Sequence, residues 1–227
     1  MHNPFSNARF LLSVAQLQQL PPPDMPEVAF AGRSNSGKSS ALNTLCGHKG
    51  LARVSKTPGR TQLLNFFELA DARLVDLPGY GFADVPQEVR RQWGPLINGY
   101  LRRRECLRGI VLIMDIRHPL TAFDRQMMSW AQDVRARPQR AAPAEARSEA
   151  DALGTDPGPD DSPGTGVPVH ILLTKSDKLT FGASKQALAA VQRELAKEAA
   201  PPSVQLFSAR TKAGADEARN QLLTWLA

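Results

Sequence analysis

Runs of apolar residues, some continuous and some in helical spacing, divide the chain into alternating elements. EVAFAG (27–32), LLNFFEL (63–69), ARLVDLPG (72–79), GIVLIMDI (109–116), VPVHILLTK (167–175) and SVQLFSA (203–209) are short and rich in branched and aromatic residues, as buried strands are. Helical spacing covers residues 38–46, 86–106, 122–135, 183–199 and 216–227, with a break or kink predicted at Gly94-Pro95 because proline removes a helix hydrogen bond. This alternation predicts an α/β fold: a mostly parallel six-stranded sheet with helices on both faces, in which 63–69 and 72–79 are neighbours. One stretch departs from the pattern. Residues 136–166 are rich in Ala, Pro, Gly and acids, with no strand-like run, so burial cannot offset their ordering entropy and a disordered surface insertion is expected.

Composition narrows the classes. The chain has 227 residues, 42 % of them hydrophobic and 22 % charged, enough for one domain with a substantial core. Residues 1–26 are expected as an N-terminal extension packing on a domain of 27–227. The apolar piece ARFLLSVAQL within that extension lacks signal-peptide architecture. No apolar run approaches the roughly 20 residues that span a bilayer, so a transporter is not expected and no membrane contact is predicted. Two cysteines, Cys46 and Cys106, make no disulfide framework and point to the cytoplasm. The net charge is +6, and residues 90–108 concentrate six arginines against one glutamate. Such a cluster is either a solvated helix face or a phosphate-binding footprint for RNA.

The candidate chemistry lies where strands end. GRSNSGKS (32–39) has the form G-x-x-x-x-G-K-[ST], between a predicted strand and a predicted helix. Gly32 and Gly37 let backbone N–H groups face phosphates, Lys38 adds a point charge, and the Ser39 hydroxyl suits Mg²⁺ at the positive end of the helix. Asp76, at a strand end in DLPG, is placed to hold Mg²⁺ through water, and the Gly79 N–H to meet a γ-phosphate. TKSD (174–177) follows another strand. Its Asp177 can accept from both N1–H and the exocyclic amine of guanine, while the Lys175 stem covers the base. Phe207-Ser208-Ala209, at the end of the last strand, is the matching loop for guanine O6. Taken alone, TKSD is a strand-to-helix turn with a capping aspartate; four elements in this order describe a guanine-nucleotide switch. VSKTPGRTQ (54–62) is the natural first mobile segment, and of Thr57 and Thr61 the second is favoured, because Pro58-Gly59 turns just before it.

GRSNSGKSS, KTPGRTQ, DLPGYGFA, MDIRHPL and LLTKSDKL together closely resemble the EngB-type (YihA/YsxC) GTP-binding proteins, within the superfamily that includes TrmE, Era, EngA and the septins. The resemblance covers most of residues 5–226 outside the insertion. It implies a Ras-like P-loop GTPase fold and binding of GTP and GDP with Mg²⁺. It further implies action in assembly of the large (50S) ribosomal subunit and, indirectly, a need in cell division and septation. Carried onto this chain, Ser39 and Thr61 are the Mg²⁺ ligands, with Asp76 acting through water. The nucleotide is held by Gly32, Arg33, Ser34, Asn35, Ser36, Gly37, Lys38 and Ser39, then Gly59, Arg60, Thr61, Gln62 and Leu63. Asp76, Leu77, Pro78 and Gly79 follow, then Thr174, Lys175, Ser176 and Asp177, and finally Phe207, Ser208 and Ala209.

Tyr80 stands where many such proteins carry a glutamine that orients water, so hydrolysis is expected to be slow and to rest on Lys38, Thr61, Gly79 and Mg²⁺. Asn35 is either a polar loop residue or a contact for K⁺ beside the β- and γ-phosphates. The ribosomal subunit, met through rRNA by the 90–108 arginines, is the other source of activation. The chain is expected to act as a monomer. A GTP-dependent, non-catalytic scaffold at the division site is the alternative reading, and a P-loop kinase leaves TKSD unexplained.

Overall fold

The computed structural model describes residues 3–52, 63–79, 87–132 and 166–227, with the backbone alone for 87–94. The chain runs β1 (Arg9–Val14), β2 (Glu27–Gly32), α1 (Lys38–Cys46), β3 (Leu64–Glu68), β4 (Arg73–Asp76) and α2 (Gln87–Arg103). It continues with β5 (Leu107–Asp115), α3 (Ala122–Gln132), β6 (Val169–Thr174), α4 (Phe181–Leu195), β7 (Ser203–Leu206) and α5 (Ala215–Leu226). Apart from Gly166, the 136–166 segment lies outside the described residues.

The strands form one sheet in the order β1-β3-β4-β2-β5-β6-β7. β4, β2, β5, β6 and β7 pair in parallel, and β3 pairs antiparallel with both β4 and β1. Successive strand side chains point to opposite faces. On one face Ala29, Ala31, Ile110, Leu112, Ile171 and Leu173 pack with Tyr100 of α2, Met127 and Met128 of α3, and Val191 and Leu195 of α4. On the other, Val28, Phe30, Val111, Ile113 and Leu172 pack with Leu42 and Leu45 of α1 and Leu222 of α5. Both faces are covered, as predicted.

The sheet has seven strands where six are predicted. The extra one, β1, is RFLLSV in the N-terminal stretch, and of its six residues only Val14 is buried. A register shift between Phe10 and Leu12 interrupts the alternation that marks a strand, which hides it in the sequence. Nor does the helix end at Gly94-Pro95: α2 continues through Pro95 to Arg103. Four buried residues after the proline, Leu96, Ile97, Tyr100 and Leu101, anchor the second half of the helix to the core.

A charge network closes the end of the sheet opposite the predicted motifs. Glu27 is fully buried; its Oε2 accepts from Arg104 Nε at 2.8 Å and Tyr100 Oη at 3.0 Å, and its Oε1 from Arg104 Nη2 at 2.5 Å. Arg104 Nη1 donates to the Pro21 carbonyl at 2.8 Å, and Arg73 Nη1 to that of Pro22 at 2.7 Å. One member of the 90–108 arginine cluster is thereby corrected. Arg104 is buried and bidentate to an interior carboxylate, so it offers nothing to RNA, whereas Arg102 and Arg103 are exposed.

Two further details bear on the core. Trp225 of α5 lies so close over β5 that a Cβ on Gly109 would stand 2.2 Å from its ring, leaving room for glycine alone. Arg219 of α5 donates to the Leu45 and Thr44 carbonyls at 2.9 and 2.8 Å, tying off the C-terminal end of α1. Cys46 and Cys106 are free and buried, and burial pushes both thiols up to about 12. Among the described residues no helix is long and apolar enough to cross a membrane.

Candidate functional site

The C-terminal ends of parallel strands carry most of the predicted motifs, because each crossover helix leaves its strand there. β2 ends at Gly32, where a Cβ would meet the Ile113 carbonyl of β5 at 2.7 Å and Ser36 Oγ at 2.8 Å. Glycine therefore lets the loop sit directly against β5. The loop closes with Ser36 N–H donating to the Arg33 carbonyl at 3.0 Å, and reverses through left-handed backbone at Asn35 (φ 61°) and Gly37 (φ 97°). Asparagine tolerates that conformation better than most side chains. Gly37 is also the N-cap of α1 and has no side chain to bond the first N–H groups, which leaves them for an anion.

Asp76 ends β4 beside this loop and forms an ion pair with Lys38, both side chains being about nine-tenths buried. Leu77 N–H donates to the Phe30 carbonyl at 2.9 Å, and its side chain turns into the core, so only its backbone faces the loop end. Pro78 is buried as well. Gly79 closes against the phosphate loop: a Cβ there would stand 3.5 Å from the Ser34 nitrogen.

TKSD divides between two tasks. Thr174 Oγ1 donates across the Ser36 carbonyl at 2.5 Å and the Met114 carbonyl at 3.0 Å. Lys175, in left-handed backbone (φ 58°), donates from Nζ to the Asn35 carbonyl at 2.6 Å and to Asp115 Oδ2 at 2.8 Å. The first two residues thus clamp the loop at 35–36. The other two bond the loop that follows β7. Ser176 N–H donates to the Phe207 carbonyl at 3.2 Å, and Asp177 Oδ1 accepts from Ser208 Oγ at 2.6 Å. The Ser208 hydroxyl holds the Asp177 carboxyl below the usual carboxylate range, so it is ionised at neutral pH. Its second oxygen, Oδ2, is buried and has no hydrogen-bond partner among the described residues; the exposed Arg210 guanidinium stays 3.9 Å away. Phe207 packs in the core while Ala209 packs at its edge.

Lys38, Ser39, Asp76 and Gly79 therefore meet at the phosphate loop, and Thr174–Asp177 meet Phe207–Ala209 and the loop's far side. Gly59, Arg60, Thr61 and Gln62, together with Thr57 and Tyr80, lie outside the described residues, and Leu63 is half-buried just before β3. Asp115 is the residue that sequence reasoning missed. Its Oδ1 accepts from Arg117 N–H and Nε at 3.1 and 2.9 Å, and its Oδ2 from Arg117 Nη2 at 2.6 Å as well as from Lys175. Burial pushes this carboxyl up, but Arg117 and Lys175 outweigh it and hold it well below the carboxylate range. The sequence showed only that Asp115 ends a strand; its pairing with Thr174 of the next is seen in the register.

The sequence and the fold are both matched in known proteins. A family model described as 50S ribosome-binding GTPase matches residues 27–142. A curated protein of Aromatoleum aromaticum, named "Probable GTP-binding protein EngB", is 50 % identical over 223 residues, 98 % of this chain and 89 % of its own. One of the same name from Coxiella burnetii is 44 % identical over 222 residues, 97 % of this chain and 93 % of its own. Among solved structures, an EngB GTP-binding protein superposes with a TM-score of 0.62 at 18 % identity, covering 88 % of this chain and 98 % of that one. Era, solved with MgGDPNP and a segment of 16S ribosomal RNA, gives 0.57 at 19 %, over 90 % and 57 %. These likenesses show the Ras-like P-loop GTPase fold, and with the extended sequence identity they lead to one conclusion: the chain belongs to the EngB family of GTP-binding proteins.

Proposed function

We propose that the protein is a guanine-nucleotide switch that hydrolyses GTP slowly and acts in assembly of the large ribosomal subunit. The observation carrying the nucleotide reading is Asp177. An ionised carboxylate with one buried oxygen lacking a donor fits a base that presents N1–H and an exocyclic amine together, as guanine does. Lys38 and the uncapped N–H groups of α1 meet the β- and γ-phosphates, and the Gly79 N–H the γ-phosphate. Ser39 in the first turn of α1 and Asp76 at the end of β4 offer the hydroxyl and single carboxylate that Mg²⁺ takes alongside phosphate oxygens and waters. Bound there, Mg²⁺ would neutralise charge on the transferring phosphoryl group. Thr61, with Gly59–Leu63, is assigned to this site by family resemblance.

Turnover is slow because Tyr80 cannot orient water as an amide does. Asn35, exposed at the reversal of the loop, is the candidate K⁺ contact. GTP hydrolysis in Mg²⁺ is expected to rise several-fold when Na⁺ is replaced by K⁺ and to lose that difference in Asn35→Ala; equal rates in both salts remove K⁺ from the reading.

The ribosomal role is supported by the description of the matching family model and by the exposed Arg102 and Arg103 at the end of α2. The protein works as a cytoplasmic monomer off the membrane, and a division defect on its loss follows from the assembly defect. Sucrose-gradient sedimentation with large subunits, in GDP and in a non-hydrolysable GTP analogue, tests this. Binding is expected to depend on the nucleotide. In Arg102→Glu/Arg103→Glu it weakens and its salt dependence flattens, since each lost phosphate contact removes about one unit of salt slope. Unchanged sedimentation removes these arginines from the interface.

A further inference from the structure

Asp115 belongs to none of the nucleotide motifs, yet it stands between the base loop and the phosphate loop. Among the described residues the ammonium of Lys175 is shared by two acceptors, the Asn35 carbonyl at 2.6 Å and Asp115 Oδ2 at 2.8 Å. The first lies at the reversal of the phosphate loop. The second is a carboxylate at the end of a central strand, fixed at both oxygens by Arg117. The Lys175 side chain is 30 % exposed, so the ammonium has a path to solvent, and of its two acceptors Asp115 is the one that carries a charge.

We infer that Asp115 is a positioning residue that sets how long the protein holds its nucleotide, acting through Lys175 on the phosphate loop. The proposal rests on the guanine-nucleotide reading above. With Asp115 in place, Lys175 pulls the Asn35 carbonyl towards β5, and its stem is laid where a base bound to Asp177 would stack. Without the carboxylate the ammonium turns to solvent, and the carbonyl at the loop's reversal loses its charged donor. Thr174 still holds Ser36, so the loop loosens at one of its two ties and the fold persists.

Release of a fluorescent GDP, followed by stopped flow in the full chain, tests this in four variants. Asp115→Ala is expected to release about ten-fold faster than wild type, the scale of losing one charge-assisted hydrogen bond. Asp115→Asn, which keeps an acceptor oxygen but not the charge, falls between the two and carries the test if the alanine variant does not fold. The deciding comparison is Lys175→Ala alone against Lys175→Ala/Asp115→Ala. If Asp115 acts through Lys175, removing it from the lysine-less chain changes nothing further. Equal acceleration in both backgrounds, or wild-type release from Asp115→Asn and Asp115→Ala, overturns the positioning role while leaving the guanine reading intact. A wild-type chain that binds no GDP overturns both.

Discussion

Asp177→Asn is expected to weaken GTP binding by about 100-fold or more and to strengthen binding of the xanthine nucleotide, reversing the base preference. Oδ2, buried and without a hydrogen-bond donor among the described residues, and the Ser208-held Oδ1 make Asp177 an acceptor at both oxygens. An amide puts a donor opposite the exocyclic amine of guanine, and two donors then face each other in a site shielded from water. Xanthine carries a carbonyl at that position and accepts from the amide. A charged hydrogen bond is worth about 1.5–3 kcal/mol, and leaving its buried partner unpaired adds to the loss. Competition of GTP and XTP against a fluorescent guanine nucleotide gives the two affinities directly. An Asp177→Asn chain that keeps its preference for GTP would mean that the loop 207–209 reads the base and Asp177 merely braces it.

Breaking the interior pair at the other end of the sheet should produce the largest loss of stability. Arg104→Ala leaves Glu27, which is fully buried, with the neutral Tyr100 hydroxyl and Cys106 thiol and the more distant Arg73 at 3.8 Å. Removing one partner of such a pair costs about 3–5 kcal/mol because an uncompensated charge stays in a low dielectric. Urea unfolding should show a lower midpoint at unchanged slope, and Glu27→Gln/Arg104→Met should recover part of the loss. If Arg104→Ala unfolds like wild type, the network is not bearing on stability. The comparison also separates two kinds of arginine in one sequence cluster: Arg102→Ala and Arg103→Ala leave the midpoint where it is.

The parts of the fold visible in the sequence are those whose physics is local. A glycine-rich turn between EVAFAG and a helix, a hydrophobic strand ending in TKSD, and two neighbouring strands around DLPG can each be read without knowing their partners. What escaped notice depends on partners distant in sequence. β1 is a strand because β3 offers it an edge, while its own pattern is broken by the shift at Phe10/Leu12. Arg104 looks like its two exposed neighbours until Glu27, 77 residues earlier, is seen beside it. Asp115 looks like the polar end of a strand until the register brings Lys175 across. Pro95 carries a general rule against helix interiors that four buried side chains override here. For the candidate site the motif residues were legible, and the division inside TKSD was not: Thr174 and the Lys175 ammonium bond the loop at 35–36, while Asp177 is held by Ser208.

The distribution of these ties along the chain has a consequence for the order in which the molecule becomes competent. The phosphate loop and α1 emerge early in synthesis. The carbonyls at the end of α1 are tied by Arg219, more than 170 positions later, and the Asp177 carboxylate is set by Ser208 in the loop after the last strand. A nascent chain still short of these residues has the end of α1 held by the Asn3 amide and the Gly47 cap, and its Asp177 lacks the Ser208 hydroxyl. On the guanine reading of Asp177, discrimination between bases is therefore expected to be the last property acquired during translation.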